Sequence, residues 1–303
     1  MNMKTEPSKE KFPLRSIDLN GPFAIHGVSY AGQPKDNTMM YITKKVEHLV
    51  DGLIGHKECL IFLENGIQTD DTVIKNNKVV YTDNPQWEYA KCVEEFAKLI
   101  QKEEAKQGFS LTNEGYYIGK NVTIGENSNI EPGVLIGHNV SIGKNARILS
   151  GSKIKNAKIG DDFLCNENAV VGDYSFTIVE DSKGNKKRIP ALGQVIIGNC
   201  VEIGACNVIS RGMCSDTILE DYVKLAELVH VGHESHLHKN VQLTAGVIVA
   251  GFVIIEENAY LGVNSCIRNR IQIGKDCVIG MGAAVIKSVN DCITVVGNPA
   301  KSI

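Results

Sequence analysis

The chain has 303 residues, enough for one large or two moderate domains with a substantial core. A net charge of −3 offers no electrostatic footprint for nucleic acid or an anionic membrane surface. The longest apolar stretch, Ala245 to Ile255, is too short to span a bilayer, and Met1 to Glu6 lack the apolar core of a signal peptide, so a cytoplasmic protein is expected.

Residues 1–108 read as a small α/β domain. Phe23 to Val28, Glu58 to Leu63 and Lys78 to Thr82 have the composition of strands. Helical spacing covers Thr43 to Leu53 and Pro85 to Lys106, the second with apolar residues at Tyr89, Val93, Phe96, Leu99 and Ile100. Asn84 and Pro85 supply that helix with a cap and a first-position proline. The polar run Glu103 to Ser110 links this domain to the next.

From 109 to 303 the dominant signal is an aliphatic residue at every sixth position. It runs Ile118, Ile124, Ile130, Ile136, Ile142, Ile148, Ile154, then Ile197, Ile203, Ile209, then from Leu219 to Val285 without a slip. Neither a helix nor a flat amphipathic strand has that period. Hexapeptide periodicity specifies a parallel β-helix, a triangular prism in which three repeats close a coil of about 18 residues. The sixth-position side chain points inward, and the glycine that often follows it, as in Ile136-Gly137, is expected to ease the corner. Twenty-nine glycines and only 6% aromatics suit a narrow prism. Nine cysteines show no CxxC pair or zinc spacing, and several occupy repeat positions, so buried thiols in a reducing compartment are expected.

The period is lost between Val171 and Val195, which reads as an inserted, charged loop at 172–194, either a tolerated surface excursion or a lid and partner contact on a binding face. Its cluster Lys186-Lys187-Arg188 could meet a substrate phosphate or simply be solvated. Four of the eight histidines fall within nine residues: His230, His233, His236 and His238. His230 and His236 take equivalent outward positions, where solvated side chains are expected, as they are for His238. His233 lies two residues beyond the inward Val231, near a corner, and Gly251 lies one coil further along the same edge. An imidazole titrating near pH 6.5 suits proton transfer from an amine attacking a thioester.

Several segments resemble the UDP-3-O-acylglucosamine N-acyltransferases of lipid A synthesis. These are Ile25-His26-Gly27-Val28, Thr82-Asp83-Asn84-Pro85, Arg188 to Gly198, Val201-Glu202-Ile203-Gly204-Ala205, Arg211-Gly212, Asp216-Thr217 and Gly246 to Gly251. The resemblance implies a nucleotide-sugar-recognition domain followed by a left-handed β-helix that assembles as a homotrimer. It implies His233 as catalytic base and Gly251 as oxyanion donor. Glu234 beside His233 is similar to the His-Glu arrangement of bacillosamine-type acetyltransferases. Where the family contacts uracil this chain offers Met40, Thr43 and Val46; Glu227 stands at a family asparagine, and Arg270 falls near its second histidine.

The tail Val295-Val296-Gly297-Asn298-Pro299-Ala300-Lys301 resembles the closing motif of coenzyme-A-dependent hexapeptide acyltransferases, and the family's carrier-associated C-terminal helices do not follow it. The expected donor is therefore a coenzyme A thioester, with acyl carrier protein as the alternative. By resemblance the pantetheine arm runs between two prisms, past Ala245, Gly262, Gly280 and Gly282, with Lys287 and Lys301 near its phosphates. No permanently bound cofactor or metal is expected. A γ-type carbonic anhydrase, which resembles this prism in fold, needs three zinc histidines, and Ile197 stands where one would be required. A non-catalytic scaffold is the third reading.

Overall fold

The computed structural model describes residues 17–18 and 24–303. The leader expectation at Met1 to Glu6, and Phe23 of the first expected strand, lie outside the described residues. The chain divides into a compact unit ending at Pro85 and a second running from Gln86 to Ile303. The helix Pro85–Gln107 therefore falls almost wholly in the second unit, not in the first as a boundary at 108 implies. One tie is explicit. Lys187 of the inserted loop pairs with Glu94 and sits 5.6 Å from the Trp87 ring centre. On this helix Tyr89, Val93 and Phe96 are buried while Leu99 is exposed, so the apolar stripe is shorter than its sequence suggests.

In the first unit four parallel strands, Gly27–Val28, Thr38–Ile42, Leu60–Glu64 and Lys78–Thr82, pair in chain order. Leu60 to Leu63 are all buried, as expected for a parallel strand covered on both faces. The expected helix at Thr43 to Leu53 is a 3₁₀ segment, Lys44–Leu53, broken at Val46 (φ −132°, ψ 30°). A six-residue helix not read from the sequence, Asp71–Asn76, forms the other crossover. The Asp70 carboxylate caps it by accepting from the Thr72 N–H at 2.8 Å, a signal present in Asp70-Asp71-Thr72.

The second unit is the prism. Three parallel sheets form its faces, and equivalent residues pair coil upon coil: Val231 with Val249, Val249 with Ile267, Ile267 with Val285. These side chains are at most 2% exposed, so the sixth-position rule identifies the core. Asparagine commonly makes the corner: Asn139, Asn240 and Asn258 have φ of 59°, 61° and 61°. Their amides also bridge coils, as from Asn240 Nδ2 to Asn258 Oδ1 at 3.1 Å. The glycine after the inward aliphatic has a different cause from the one expected. A Cβ on Gly125 would stand 2.5 Å from the Gly143 carbonyl carbon, so glycine is demanded by the approach of the next coil.

Two interruptions position the site. The first, the expected insertion, is an antiparallel hairpin of Ile178–Glu180 with Lys186–Arg188. Across it, coil partners such as Asp161 and Asn199 are 38 residues apart instead of 18. The second was not read from the sequence. Partners Asn199 and Asp221 are 22 residues apart, the excess falling at Arg211 to Asp216. Thr294–Val296 and Lys301–Ser302 pair antiparallel at the C-terminal end. Cys59, Cys165, Cys214 and Cys277 are buried, and burial pushes the Cys165 thiol up to about 12; Cys206, Cys266 and Cys292 are exposed, against expectation. Among the described residues no helix is long and apolar enough to cross a membrane.

Candidate active site

Val231 ends a short strand, Gly232 follows, and the chain turns at His233 and Glu234, with Glu234 left-handed at φ 54°. That turn buries the Glu234 side chain to 2% exposure. One carboxylate oxygen accepts from the Cys214 N–H at 2.7 Å and the Ser215 N–H at 3.3 Å; the other contacts His233 Nδ1 in a short hydrogen bond. The Thr217 hydroxyl accepts from the Glu234 N–H at 2.9 Å, fixing the turn itself. The donors come from the excursion at Arg211 to Asp216. Gly212 permits it, because a Cβ there would lie 1.7 Å from the Ser215 carbonyl oxygen.

A carboxylate that already accepts two N–H groups is an acceptor for His233 as well, which assigns the proton to Nδ1 and leaves Nε2 as the basic nitrogen. Nε2 lies 3.4 Å from the Thr177 hydroxyl, at the base of the inserted hairpin. The imidazole extends toward the next coil and lies over Gly251. A Cβ on Gly251 would be 2.7 Å from Nε2. The Gly251 carbonyl accepts from the Arg270 N–H at 3.2 Å, while its own N–H has no partner among the described residues. The Phe252 and His233 rings form a T-shaped pair at 5.4 Å, and the Arg270 guanidinium lies over the Phe252 ring at 4.1 Å. The arrangement is an imidazole held at Nδ1, with Nε2 beside a glycine backbone and an aromatic ring and a cation close by.

The structure brings together His233, Glu234, Gly251 and, through Phe252, Arg270. Thr177, Phe252 and the Cys214 and Ser215 amides were not anticipated; only coil register could have pointed to them. Glu227 lies on another edge with Ala245, at eighteen-residue spacing, apart from His233. Gly262 and Gly280 adjoin that edge, but a Cβ on Gly262 would be 2.7 Å from Met281 N and one on Gly280 2.7 Å from a Val296 methyl, so both are packing glycines. Gly282 is a left-handed turn residue at φ 66°. Lys287 and Lys301 both line a cavity of about 450 Å³ at the C-terminal end, with Ser288, Asn290 and Pro299.

In the first unit Met40 is 1% exposed in the core and presents no surface to a base, contrary to expectation. Thr43 is half-buried at the start of the 3₁₀ segment. Lys187 is committed to Glu94, whose carboxyl it holds below the usual range, and Arg188 lies over Phe176 at 5.0 Å; of that cluster Lys186 alone has no such contact among the described residues. His230 is half-buried, and burial together with His233 lowers its pKa. His236 and His238 are not free surface groups: both contact Glu220.

Comparison with known proteins bears on the fold and its class. The family described as bacterial transferase hexapeptide (six repeats) matches residues 115–150, and the hexapeptide repeat of succinyl-transferase matches 252–287. The chain is a hexapeptide-repeat protein with the left-handed β-helix of that class. A probable UDP-3-O-acylglucosamine N-acyltransferase 2, mitochondrial, from Arabidopsis thaliana is 31% identical over 150 residues, 50% of this chain and 49% of that protein. The UDP-3-O-acylglucosamine N-acyltransferase of Bordetella pertussis is 34% identical over 134 residues, 43% and 37% of the two chains. The chain spans about half the length, or less, of these curated relatives. Among solved structures, the UDP-N-acetylglucosamine acyltransferase of Francisella novicida is 26% identical with a TM-score of 0.57, covering 64% of this chain and 68% of that one. Within the hexapeptide class, then, this chain resembles the UDP-3-O-acylglucosamine N-acyltransferases.

Proposed function

We propose that this chain is an N-acyltransferase that moves an acyl group from a thioester to the amine of a nucleotide-linked amino sugar. The observation that carries the reading is the His233 imidazole, held by buried Glu234 and laid over Gly251. The free amine attacks the thioester carbonyl, and Nε2 takes the proton as the tetrahedral intermediate forms. The oxyanion is met by the Gly251 N–H. Collapse expels the thiolate, which recovers the proton from the imidazolium; Glu234 stabilises that cation throughout.

The names of the curated relatives support UDP-3-O-acylglucosamine as acceptor, and by family resemblance acyl carrier protein as donor, more than they support the coenzyme A donor expected from the tail. One specific observation favours coenzyme A as a second reading: Lys287 and Lys301, on either side of the GNPA turn, line one C-terminal cavity. The first unit is assigned to nucleotide recognition through surface residues other than Met40. A homotrimer is supported by the apolar edge Ala245, Val263 and Met281, of which Val263 is 40% and Met281 79% exposed. Either product would serve lipopolysaccharide or surface-polysaccharide synthesis.

The test is thiol release from hydroxyacyl carrier protein and from acetyl-coenzyme A, against a panel of UDP- and dTDP-linked amino sugars with mass detection. N-acylation of UDP-acylglucosamine from the carrier protein is the expected result. Acetylation of a simpler amino sugar from coenzyme A selects the second reading, and silence with every pair removes the activity.

A further inference from the structure

His236 opens a two-residue strand with buried Leu237, and His238 follows directly after it, so the two histidines flank Leu237 and meet on the outer face. The coil beneath places Glu220 opposite His238, and the coil above places Glu256 there. His236 Nε2 is 2.8 Å and His238 Nδ1 3.1 Å from the same Glu220 oxygen, and the two rings stack at 3.9 Å. All three candidate ligand atoms lie within 4.8 Å of one another. Nothing in the acyl-transfer step uses them.

We infer that Glu220, His236 and His238 form a site for a divalent transition metal on the outer face of the prism, one turn beyond the catalytic corner. Ligand chemistry supports the class: two imidazoles with one carboxylate suit zinc, cobalt or nickel, whereas calcium and magnesium prefer oxygen alone. A tetrahedral ion with bonds of about 2.0–2.1 Å holds its ligand atoms roughly 3.3 Å apart, close to the spacing of the Glu220 oxygen to the two ring nitrogens. An outer shell is in place as well. His238 turns its second nitrogen to Glu256 at 3.7 Å, the partner that orients a metal-binding imidazole. Glu256 is itself fixed by Gln272 at 2.7 Å, and the free oxygen of Glu220 accepts from the Lys239 N–H at 3.1 Å. A cavity of about 260 Å³, lined by Glu220, Asp221 and Lys239, adjoins the carboxylate. The ion ties two successive coils together.

The test uses the full chain, free of any affinity tag and stripped with chelator, titrated with Co²⁺ and then displaced with Zn²⁺. The expected result is a visible ligand-field spectrum saturating at one ion per chain, with affinity at least about tenfold weaker in His236→Ala and in Glu220→Gln. Circular dichroism of the metal-free variants checks that both fold. His233→Ala should bind as the parent does. Absence of any Co²⁺ spectrum up to about 1 mM, binding indifferent to both substitutions in folded protein, or binding lost with His233→Ala would each overturn the site. The readout is independent of turnover, so its failure leaves the acyltransferase proposal standing.

Discussion

Two corners of this prism begin with nearly the same tetrapeptide and do opposite things. Ile136-Gly137-His138-Asn139 and Val231-Gly232-His233-Glu234 each place a histidine after an inward aliphatic and a glycine, before a residue at φ 59° or 54°. His138 folds back over the preceding coil, accepts from the Lys120 N–H at 2.8 Å and packs on Phe109 at 4.8 Å. It is a cap. His233 extends forward over Gly251 instead, because the coil behind it has been replaced by the excursion at Arg211 to Asp216. That excursion offers its amides to Glu234, and Glu234 takes the imidazole Nδ1. The same Gly-His step becomes structural or chemical according to the residue that follows it and the coil beside it.

Substitutions can break or sharpen that contrast. Among changes that leave both His233 and Glu234 in place, Gly251→Ala should be the most damaging. Its methyl would occupy space 2.7 Å from Nε2, and turnover should fall about 10²-fold with the assembly intact. Normal turnover in that variant would separate Gly251 from the reaction. Glu234→Gln comes next. Its amide oxygen can still accept from Cys214 and Ser215, but its NH₂ then faces Nδ1 and drives the proton to Nε2, blocking the base. A loss of about tenfold or more in kcat, with KM little changed, is expected from steady-state kinetics.

The matching change on the structural side is His138→Ala. It strips a hydrogen bond from a partly buried N–H, costs about 1 kcal/mol in thermal or denaturant unfolding, and leaves kcat alone. A kcat effect there would erase the distinction between the two corners. The smallest effect concerns His230, whose pKa burial and His233 hold down. Below the ordinary histidine value of about 6.5 the unfolded chain binds a proton that the folded chain resists, so stability falls as pH falls through that range. His230→Asn should flatten this part of the unfolding profile; an unchanged slope would assign the pH dependence elsewhere.

Much of this was readable in advance, and the gaps have a common cause. A side chain repeated every six residues is inward by coil geometry, so Ile118 to Val285 disclosed the core, and the spacing of His233 and Gly251 disclosed the shared edge. Spacing fails where the coil changes length. Thr177 and the Cys214 and Ser215 amides enter the site only because of the two interruptions, and Phe252 matters through the ring it meets one coil away. Met40 illustrates the other failure. In a parallel sheet covered on both faces an apolar residue has no solvent side, so alignment with a family's binding position did not make it a contact. Glu220 with His236 and His238 also escaped notice, since sixteen or more residues separate groups that one coil brings into contact.

The central claim is that His233 is the base, and it is tested most directly by the turnover of His233→Ala. With the donor and acceptor pair that supports wild-type activity, and with the oligomer verified by light scattering, the account predicts a fall of at least about 10²-fold in kcat. An assembled His233→Ala protein that still acylates at the wild-type rate would contradict it.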